Sequence, residues 1–380
     1  MISPSVFSEP RSAYIHVPFC AHRCGYCDFT LVAEKDDLID DYLSALALEF
    51  RSLSRPRQVE TLFFGGGTPT HLSAGRLARL LELTFRWFQP VDGCEISIEA
   101  NPAGLDNEKI DRLACSGVNR ISLGVQSFNN STLELLERDH RQDDVALIVE
   151  RLQRRITNIS LDLIFAVPGQ TLTEWQETLK QAIELRPQHI STYGLTFEKG
   201  TSFWTRRKNR DLIPLGEELQ REMYAVAMDQ LTAAGFEQYE ISNFARLGFR
   251  CRHNEVYWTS RSYYGFGPGA ARYINGRRET NHRNVMTWLK RTLAGEPATA
   301  ECEELSGEDR AREAIMLGLR QYDGIDRGDF RDLTGFSLDQ LVAKHISRHC
   351  RSGLIEDTGS HIRLTREGRF LADTVIVDFL

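Results

Sequence analysis

Tyr14-Ile15-His16-Val17-Pro18-Phe19-Cys20-Ala21-His22-Arg23-Cys24-Gly25-Tyr26-Cys27-Asp28 sets three cysteines at C-x3-C-x2-C spacing immediately after a short apolar run that reads as a β-strand. Three thiolates in one tight loop do not complete a tetrahedral zinc site, although His22 or Asp28 offers a fourth ligand. A 4Fe-4S cluster fits the spacing better. Each of its four irons needs one ligand, so three cysteines leave one iron open to an exogenous molecule. The chain holds eight cysteines in 380 residues, too dilute for a disulfide scaffold, and three of the eight fall inside this one octapeptide. Cysteine usage therefore points to a reduced compartment and to metal. Cys94, Cys115, Cys302 and Cys350 read as isolated core or surface residues.

Outward from this stretch, short apolar runs alternate with amphipathic ones. Strands are expected at Ser12–Val17, 60–64, 94–100, 120–127, 159–167 and 189–196, with helices at 37–54, 73–88, 107–115, 142–154 and 173–185 between them. This strand, loop, helix order predicts an α/β fold, a partial (β/α)6 barrel or wide arc with the helices outside. In such folds the chemistry sits at the carboxyl ends of the strands. There the sequence carries Gly65-Gly66-Gly67-Thr68-Pro69-Thr70, Ser97-Ile98-Glu99-Ala100-Asn101-Pro102, Leu123-Gly124-Val125-Gln126-Ser127 and Ser160-Leu161-Asp162-Leu163. Glycines permit close backbone approach to a ligand. A carboxylate inside an apolar strand, as at Asp162, is costly to bury unless paired.

The rhythm changes near Gly200. A long helix at 216–234 leads into an aromatic and Gly-rich stretch, 239–273, without clear periodicity; Gly295-Glu296-Pro297-Ala298 and the acidic run Glu301, Glu303, Glu304 read as a linker. Beyond it, three helices, a hairpin at 354–364 and a last helix predict a small winged-helix-like domain. The expected division is thus 1–200 for the β/α core, 201–295 for a region completing the barrel, and 296–380 for the C-terminal domain. Residues 301–380 contain 11 Lys+Arg against 16 Asp+Glu, a poor match for a phosphate backbone, so no nucleic-acid partner is expected. The whole chain has a formal net charge of -7. No window approaches the roughly 18 apolar residues of a membrane span. Met1-Ile2-Ser3-Pro4 shows no basic segment leading into an apolar run, and the expected location is cytoplasmic.

The cysteine triplet with its preceding Tyr-x-His-x-Pro-Phe resembles the radical S-adenosylmethionine (SAM) enzymes, in which SAM chelates the open iron. Within that superfamily the resemblance is to the oxygen-independent coproporphyrinogen III oxidases and their relatives, the HemW-type haem chaperones, over nearly the whole chain. It implies that Cys20, Cys24 and Cys27 hold the cluster. It implies further that Tyr14, Tyr26, Gly66, Gly67, Thr68, Glu99, Gln126, Arg138 and Asp162 line the SAM site, with Tyr26 near the adenine and Asp162 at the ribose.

Two departures separate the two relatives. The oxidases carry a further cysteine next to the triplet, where this chain has Cys27-Asp28-Phe29, and they carry a longer lead before the position of Tyr14. Both features favour the chaperone type. So does Arg252-His253-Asn254-Glu255-Val256-Tyr257-Trp258, which resembles the haem-associated motif of those chaperones. His253 offers an imidazole to iron, Tyr257 a phenolate and Trp258 a face for the porphyrin, with Cys251 a lesser candidate. Residues 201–290 hold 14 Lys+Arg against 9 Asp+Glu, a basic excess suited to a carboxylated tetrapyrrole. The resemblance thus implies a chaperone binding a cluster, SAM and haem as cargo and delivering the haem to an acceptor hemoprotein. The alternative is a SAM-dependent oxidase acting on coproporphyrinogen III. A reductant such as flavodoxin or ferredoxin is implied if SAM is cleaved.

Overall fold

The computed structural model describes residues 9–380; Met1–Pro4 lies outside them. The six expected strands form as β1 (Ser12–Val17), β2 (Arg57–Gly66), β3 (Phe88–Ala100), β4 (Arg120–Gln126), β5 (Asn158–Phe165) and β6 (His189–Gly194), parallel and adjacent in chain order. Between them run α1 (Ile39–Phe50), α2 (Ala74–Trp87), α3 (Asn107–Cys115), α4 (Asn130–Leu135), α5 (Gln142–Gln153) and α6 (Leu172–Glu184). Local chemistry fixes the helix starts. Ser73 and Asp106 accept hydrogen bonds from the backbone amides three residues on, Arg76 and Lys109, and Thr171 with Glu174 forms a capping box. The apolar stripes of these helices, such as Leu77, Leu80 and Leu81 of α2, pack on the outward residues of the strands in one large core.

Past β6 the sheet continues through two short antiparallel strands, β7 (Glu237–Gln238) and β8 (Asn243–Ala245), in the order β6-β8-β7. At the other end β9 (Tyr264–Phe266) pairs parallel to β1. The two edge strands do not pair with each other, so the barrel is partial. The segment 239–273, which lacks sequence periodicity, therefore supplies two strands of the main sheet, both only three residues long and too short to show a period of 2. The same region holds α7 (Ser202–Lys208), α8 (Glu217–Ala233) and α9 (Arg252–Trp258).

Of the stretch expected to be a linker, 295–298 is loop, and the acidic run is instead a strand. β10 (Ala271–Ile274), β11 (Arg277–Asn281) and β12 (Thr299–Glu304) form an antiparallel sheet, with α10 (Val285–Leu293) inserted before β12. The acidic run lies against the basic strand β11: Arg278 pairs with Glu303 at 3.3 Å and Arg277 with Glu304 at 4.0 Å. The composition shift at 295–298 thus falls within one sheet. Beyond it α11 (Gly307–Gly318), β13 (Ile325–Asp326), α12 (Arg327–Thr334), α13 (Leu338–Arg351), the hairpin β14 (Ile355–Asp357) and β15 (His361–Leu364), α14 (Arg366–Phe370) and α15 (Ala372–Val377) enclose a second core around Ile315, Phe330, Ile362 and Phe379.

The opposite charges of 201–290 and 301–380 meet each other. Arg366 grips Asp229 with bonds of 2.7 and 2.9 Å, Arg221 pairs with Glu367 at 2.9 Å, Arg250 with Asp323 at 3.2 Å, and Arg278 with Glu313. Arg221, Arg250 and Arg278 of the basic excess expected to receive a tetrapyrrole are thus engaged by acids of 301–380, whereas the Arg366–Asp229 pair runs the other way. Among the described residues no helix is long and apolar enough to cross a membrane.

Candidate functional site

A cavity of about 500 Å³ opens at the carboxyl ends of the strands, within the size range of small-molecule sites. Cys20, Cys24 and Cys27 line one side of it. The loop that carries them is knitted to the barrel by His16, whose Nε2 donates to the Thr30 carbonyl at 2.6 Å while the Tyr14 hydroxyl meets its Nδ1 at 3.0 Å. Close packing of His16 and Phe19 explains the glycines where β2 ends. A Cβ on Gly66, at φ 115°, would sit 2.5 Å from the His16 ring, and one on Gly67 would sit 2.7 Å from the Phe19 carbonyl oxygen. The Gly-rich turn thus lies directly on the cysteine loop.

Thr68 Oγ1 reaches Cys20 Sγ at 3.2 Å and accepts from Asn101 Nδ2 at 3.0 Å. Arg138 Nη1 points to Cys24 Sγ at 3.6 Å, and its Nη2 donates to Asn101 Oδ1 at 2.6 Å and to the Gly124 carbonyl at 3.0 Å. Its Nε is buried without a hydrogen-bond partner, an unspent donor at the cavity wall. Burial pushes the Cys20 thiol up to about 11 and moves Cys27 the same way, so these thiols stay protonated until a metal displaces the proton. The described residues contain no convergent group of three His, Cys, Asp or Glu able to hold one ion. Three thiols spread around one loop suit a multi-iron group, with one sulfur per iron.

On the facing wall, Glu99 at the end of β3 accepts from the Gly66 amide at 2.9 Å, and burial pushes its carboxyl up to about 8. Gln126 projects into the cavity from a β-bulge in β4, at a left-handed φ of 65°. Such backbone is uncommon away from glycine, and bulges re-aim side chains at sites. Asp162 forms part of the floor and accepts the hydroxyls of Ser191 at 2.8 Å and Ser122 at 3.0 Å. Tyr26 lines the cavity with its ring edge against Phe203 of α7.

Of the residues expected around SAM, the cavity gathers Tyr26, Gly66, Gly67, Thr68, Glu99, Gln126, Arg138 and Asp162. Tyr14 is the exception: its hydroxyl is turned to His16 and its ring stacks on Phe63, so it supports the cysteine loop from beneath. Asn101 was not singled out from sequence, yet it ties Thr68 to Arg138. Its signal was its place in the strand-end stretch that ends Glu99-Ala100-Asn101. Tyr193, at the end of β6, also lines the cavity.

The residues expected to meet haem lie elsewhere. His253 and Tyr257 occupy α9, whose first amides are held by the buried carboxylate of Glu95: Arg252 N and His253 N donate to it at 3.1 Å. His253 is 1% exposed, with Nδ1 2.8 Å from Thr61 Oγ1, Nε2 2.8 Å from Tyr257 Oη, and its ring stacked on Phe63. Both ring nitrogens are thus engaged, and neither has a lone pair free for iron in this conformation. Burial pushes the imidazole down to about 3, so it is neutral. Trp258 is partly covered, with the Arg320 guanidinium 5.1 Å from its ring and Gln321 donating to its backbone carbonyl at 3.2 Å. Cys251 is buried with its Sγ 3.7 Å from Glu95.

Residues 14–182 match the radical SAM superfamily, and residues 305–371 match the HemN C-terminal domain. The heme chaperone HemW of Bacillus subtilis is 38% identical over 97% of this chain and 99% of its own length. That of Lactococcus lactis is 37% identical over 99% and 98%. Coproporphyrinogen III oxidase (HemN) from Escherichia coli, a radical SAM enzyme, shares the fold with a TM-score of 0.86 over 97% of this chain and 90% of that one, at 24% identity. With matches to named heme chaperones running from end to end, and the superfamily match covering the cysteine loop and five of the six core strands, the chain belongs to the HemW heme chaperone family of the radical SAM superfamily.

Proposed function

We propose that this protein is a haem chaperone that holds a 4Fe-4S cluster on Cys20, Cys24 and Cys27, binds SAM beside it, and carries haem to an acceptor hemoprotein. The observation that carries the reading is the convergence of three thiols and the Gly66–Glu99 pair on one cavity. When bound, the cluster would supply an open iron and an electron. The chain's own residues do the rest. Glu99 accepts from the amino group of SAM, the Gly66 and Gly67 backbone and Thr68 follow its methionyl part, Arg138 and Gln126 supply donors, and Asp162 takes the ribose hydroxyls. Tyr26 offers its ring to the adenine.

Haem is cargo in this reading, and α9 is its proposed station. His253 becomes a ligand there only after α9 releases its bonds to Thr61 and Tyr257 and the C-terminal domain uncovers Trp258. The test is anaerobic reconstitution of the cluster followed by two measurements on one preparation: haem retention, and conversion of coproporphyrinogen III with SAM and reductant. Haem retention without conversion is expected. Robust conversion would overturn the chaperone reading in favour of the oxidase.

A further inference from the structure

The barrel interior is polar well below the cavity floor. Alternation along the strands turns Glu95, Ser97 and Glu99 of β3, Arg120 and Ser122 of β4, Ser160 and Asp162 of β5, and His189 and Ser191 of β6 inward, all of them buried or nearly so. Three of these groups, Asp162, Ser160 and His189, form a single file with Tyr239 and the Cys251 amide. The Cys251 amide, at the N-cap of α9, donates to Tyr239 Oη at 3.3 Å; Tyr239 Oη lies 2.8 Å from His189 Nε2; His189 Nδ1 lies 2.8 Å from Ser160 Oγ; and Ser160 Oγ lies 3.3 Å from Asp162 Oδ1.

The direction of this file follows from its first member, because an amide can only donate. Tyr239 accepts there and has one proton to give, and His189 Nε2 is the acceptor in reach. His189 then carries its proton on Nδ1 and donates to Ser160, whose own proton goes to Asp162. In the reverse arrangement the Tyr239 proton has no acceptor and Asp162 loses a donor, in a buried site where each unmade bond is costly. A neutral His189 fits: burial, with Arg120 second, pushes its imidazole well below the usual range.

We propose that Tyr239, His189 and Ser160 are positioning residues that hold Asp162 as an ionised, oriented acceptor at the cavity floor, with Arg120 as its buried counter-charge. This rests on the reading that the adenosyl ribose sits at Asp162. Ser122, Ser160 and Ser191 all present hydroxyls to the carboxylate, a set suited to an acceptor without a proton of its own. The charged and titratable groups around it are Glu99 from β3, Arg120 from β4, His189 and Tyr193 from β6, and Glu240 between β7 and β8. Burial raises the Asp162 carboxyl, whereas the serine hydroxyls and Arg120 lower it. Weakening the file lets the carboxyl take a proton at higher pH.

The probe is 5′-methylthioadenosine, which keeps the ribose hydroxyls of SAM and lacks the amino acid group that faces Glu99. Its equilibrium binding to the cluster-reconstituted protein is measured from pH 5 to 9, beside SAM itself. S160A and Y239F each remove one hydroxyl, and each is expected to move the pH at which affinity is half lost upward by about one unit. Because both sit in one file, the double variant is expected to move it no further than the larger single shift. Nitrogen-15 NMR of labelled histidine is expected to show His189 as the Nδ1–H tautomer in the wild type and a changed state in Y239F. Two variants and a spectroscopic readout keep the test alive should one variant not fold. Unmoved midpoints, additive shifts, or an Nε2–H tautomer in the wild type, with ligand bound normally, overturn the file alone. A wild type that binds neither SAM nor the thioether overturns the pocket reading and the file with it.

Discussion

The Nε2 atom of His253 lies 2.8 Å from the hydroxyl of Tyr257, one helical turn further along α9, and this bond closes the imidazole on the side away from Thr61. For His253 to reach a haem iron, the closed arrangement must first open. Haem association is therefore expected to level off at a rate that no longer rises with haem concentration, as a step preceding binding becomes limiting. Y257F removes one bond and leaves a buried nitrogen unpaired, a loss of about 1 kcal/mol, so the ceiling should rise roughly fivefold. Stopped-flow absorbance in the Soret band reads both. A rate that stays proportional to haem, with Y257F indistinguishable from wild type, would show that α9 is not the gate.

Cys24 has its sulfur 3.6 Å from Arg138 and 3.7 Å from the Glu137 carbonyl, inside the cavity, whereas Cys115 is exposed on α3. C24S is expected to lose the cluster after anaerobic reconstitution, and C115S to retain full iron and sulfide. Chemical iron and sulfide assays with visible absorbance decide it. Retention of the full complement by C24S would remove Cys24 from the ligand set.

The positions of the six core strands and of the cavity at their carboxyl ends were legible because both rest on local patterns: the short apolar run at Ser12–Val17, the glycines at the end of β2, a carboxylate in β5. What escaped reading depends on partners far apart in the chain. The engagement of His253 was not legible because its partner Thr61 stands 192 residues away, and nothing local announces that contact. Glu301, Glu303 and Glu304 looked like a solvated linker because the arginines of β11 that face them lie beyond an intervening helix. Ser160 and His189 pass for ordinary strand residues and Tyr239 for one aromatic in the stretch without periodicity, and only the barrel brings them into line. Gln126 was marked by its place at a strand end and by the family resemblance, but the bulge that aims it leaves no compositional trace.

Glu99 provides a proton-linkage test. In the ligand-free protein, burial holds its carboxyl at about 8, so at pH 7 it is mostly protonated. An amino group donating to it favours the ionised form, so SAM binding should release close to one proton at pH 7 from this group. Its contribution to affinity should grow as pH rises and level off above about 8. Calorimetry in buffers of different ionisation enthalpy measures the release, and E99Q should release about one proton fewer. The same shift has a stability consequence of fixed sign. The folded state binds this proton more tightly than the unfolded state, so the wild type loses stability between about pH 4.5 and 8, and E99Q, without ligand, lacks that decline. Equal proton release by wild type and E99Q would show that Glu99 does not meet the ligand.

Asp229 on α8 and Arg366 on α14 form a bidentate pair, and with Arg221–Glu367 and Arg250–Asp323 they bridge the C-terminal domain to the rest of the chain beside the apolar contacts there. Exposed pairs of this kind contribute about 0.2–1 kcal/mol each and weaken as salt shortens the screening length. R366D replaces the attraction with repulsion. It should speed deuterium exchange in α11, the helix that leads to the Arg320 and Gln321 cover on Trp258, by roughly fivefold at low salt. Adding D229R restores the pair with its signs exchanged and should return exchange toward wild type. At about 1 M salt, where the screening length is near 3 Å, wild type and both variants should converge. If R366D leaves exchange in α11 unchanged at low salt, the apolar contacts of Phe370 with Tyr224 and the seating of Ile241 between the two cores hold the domain by themselves.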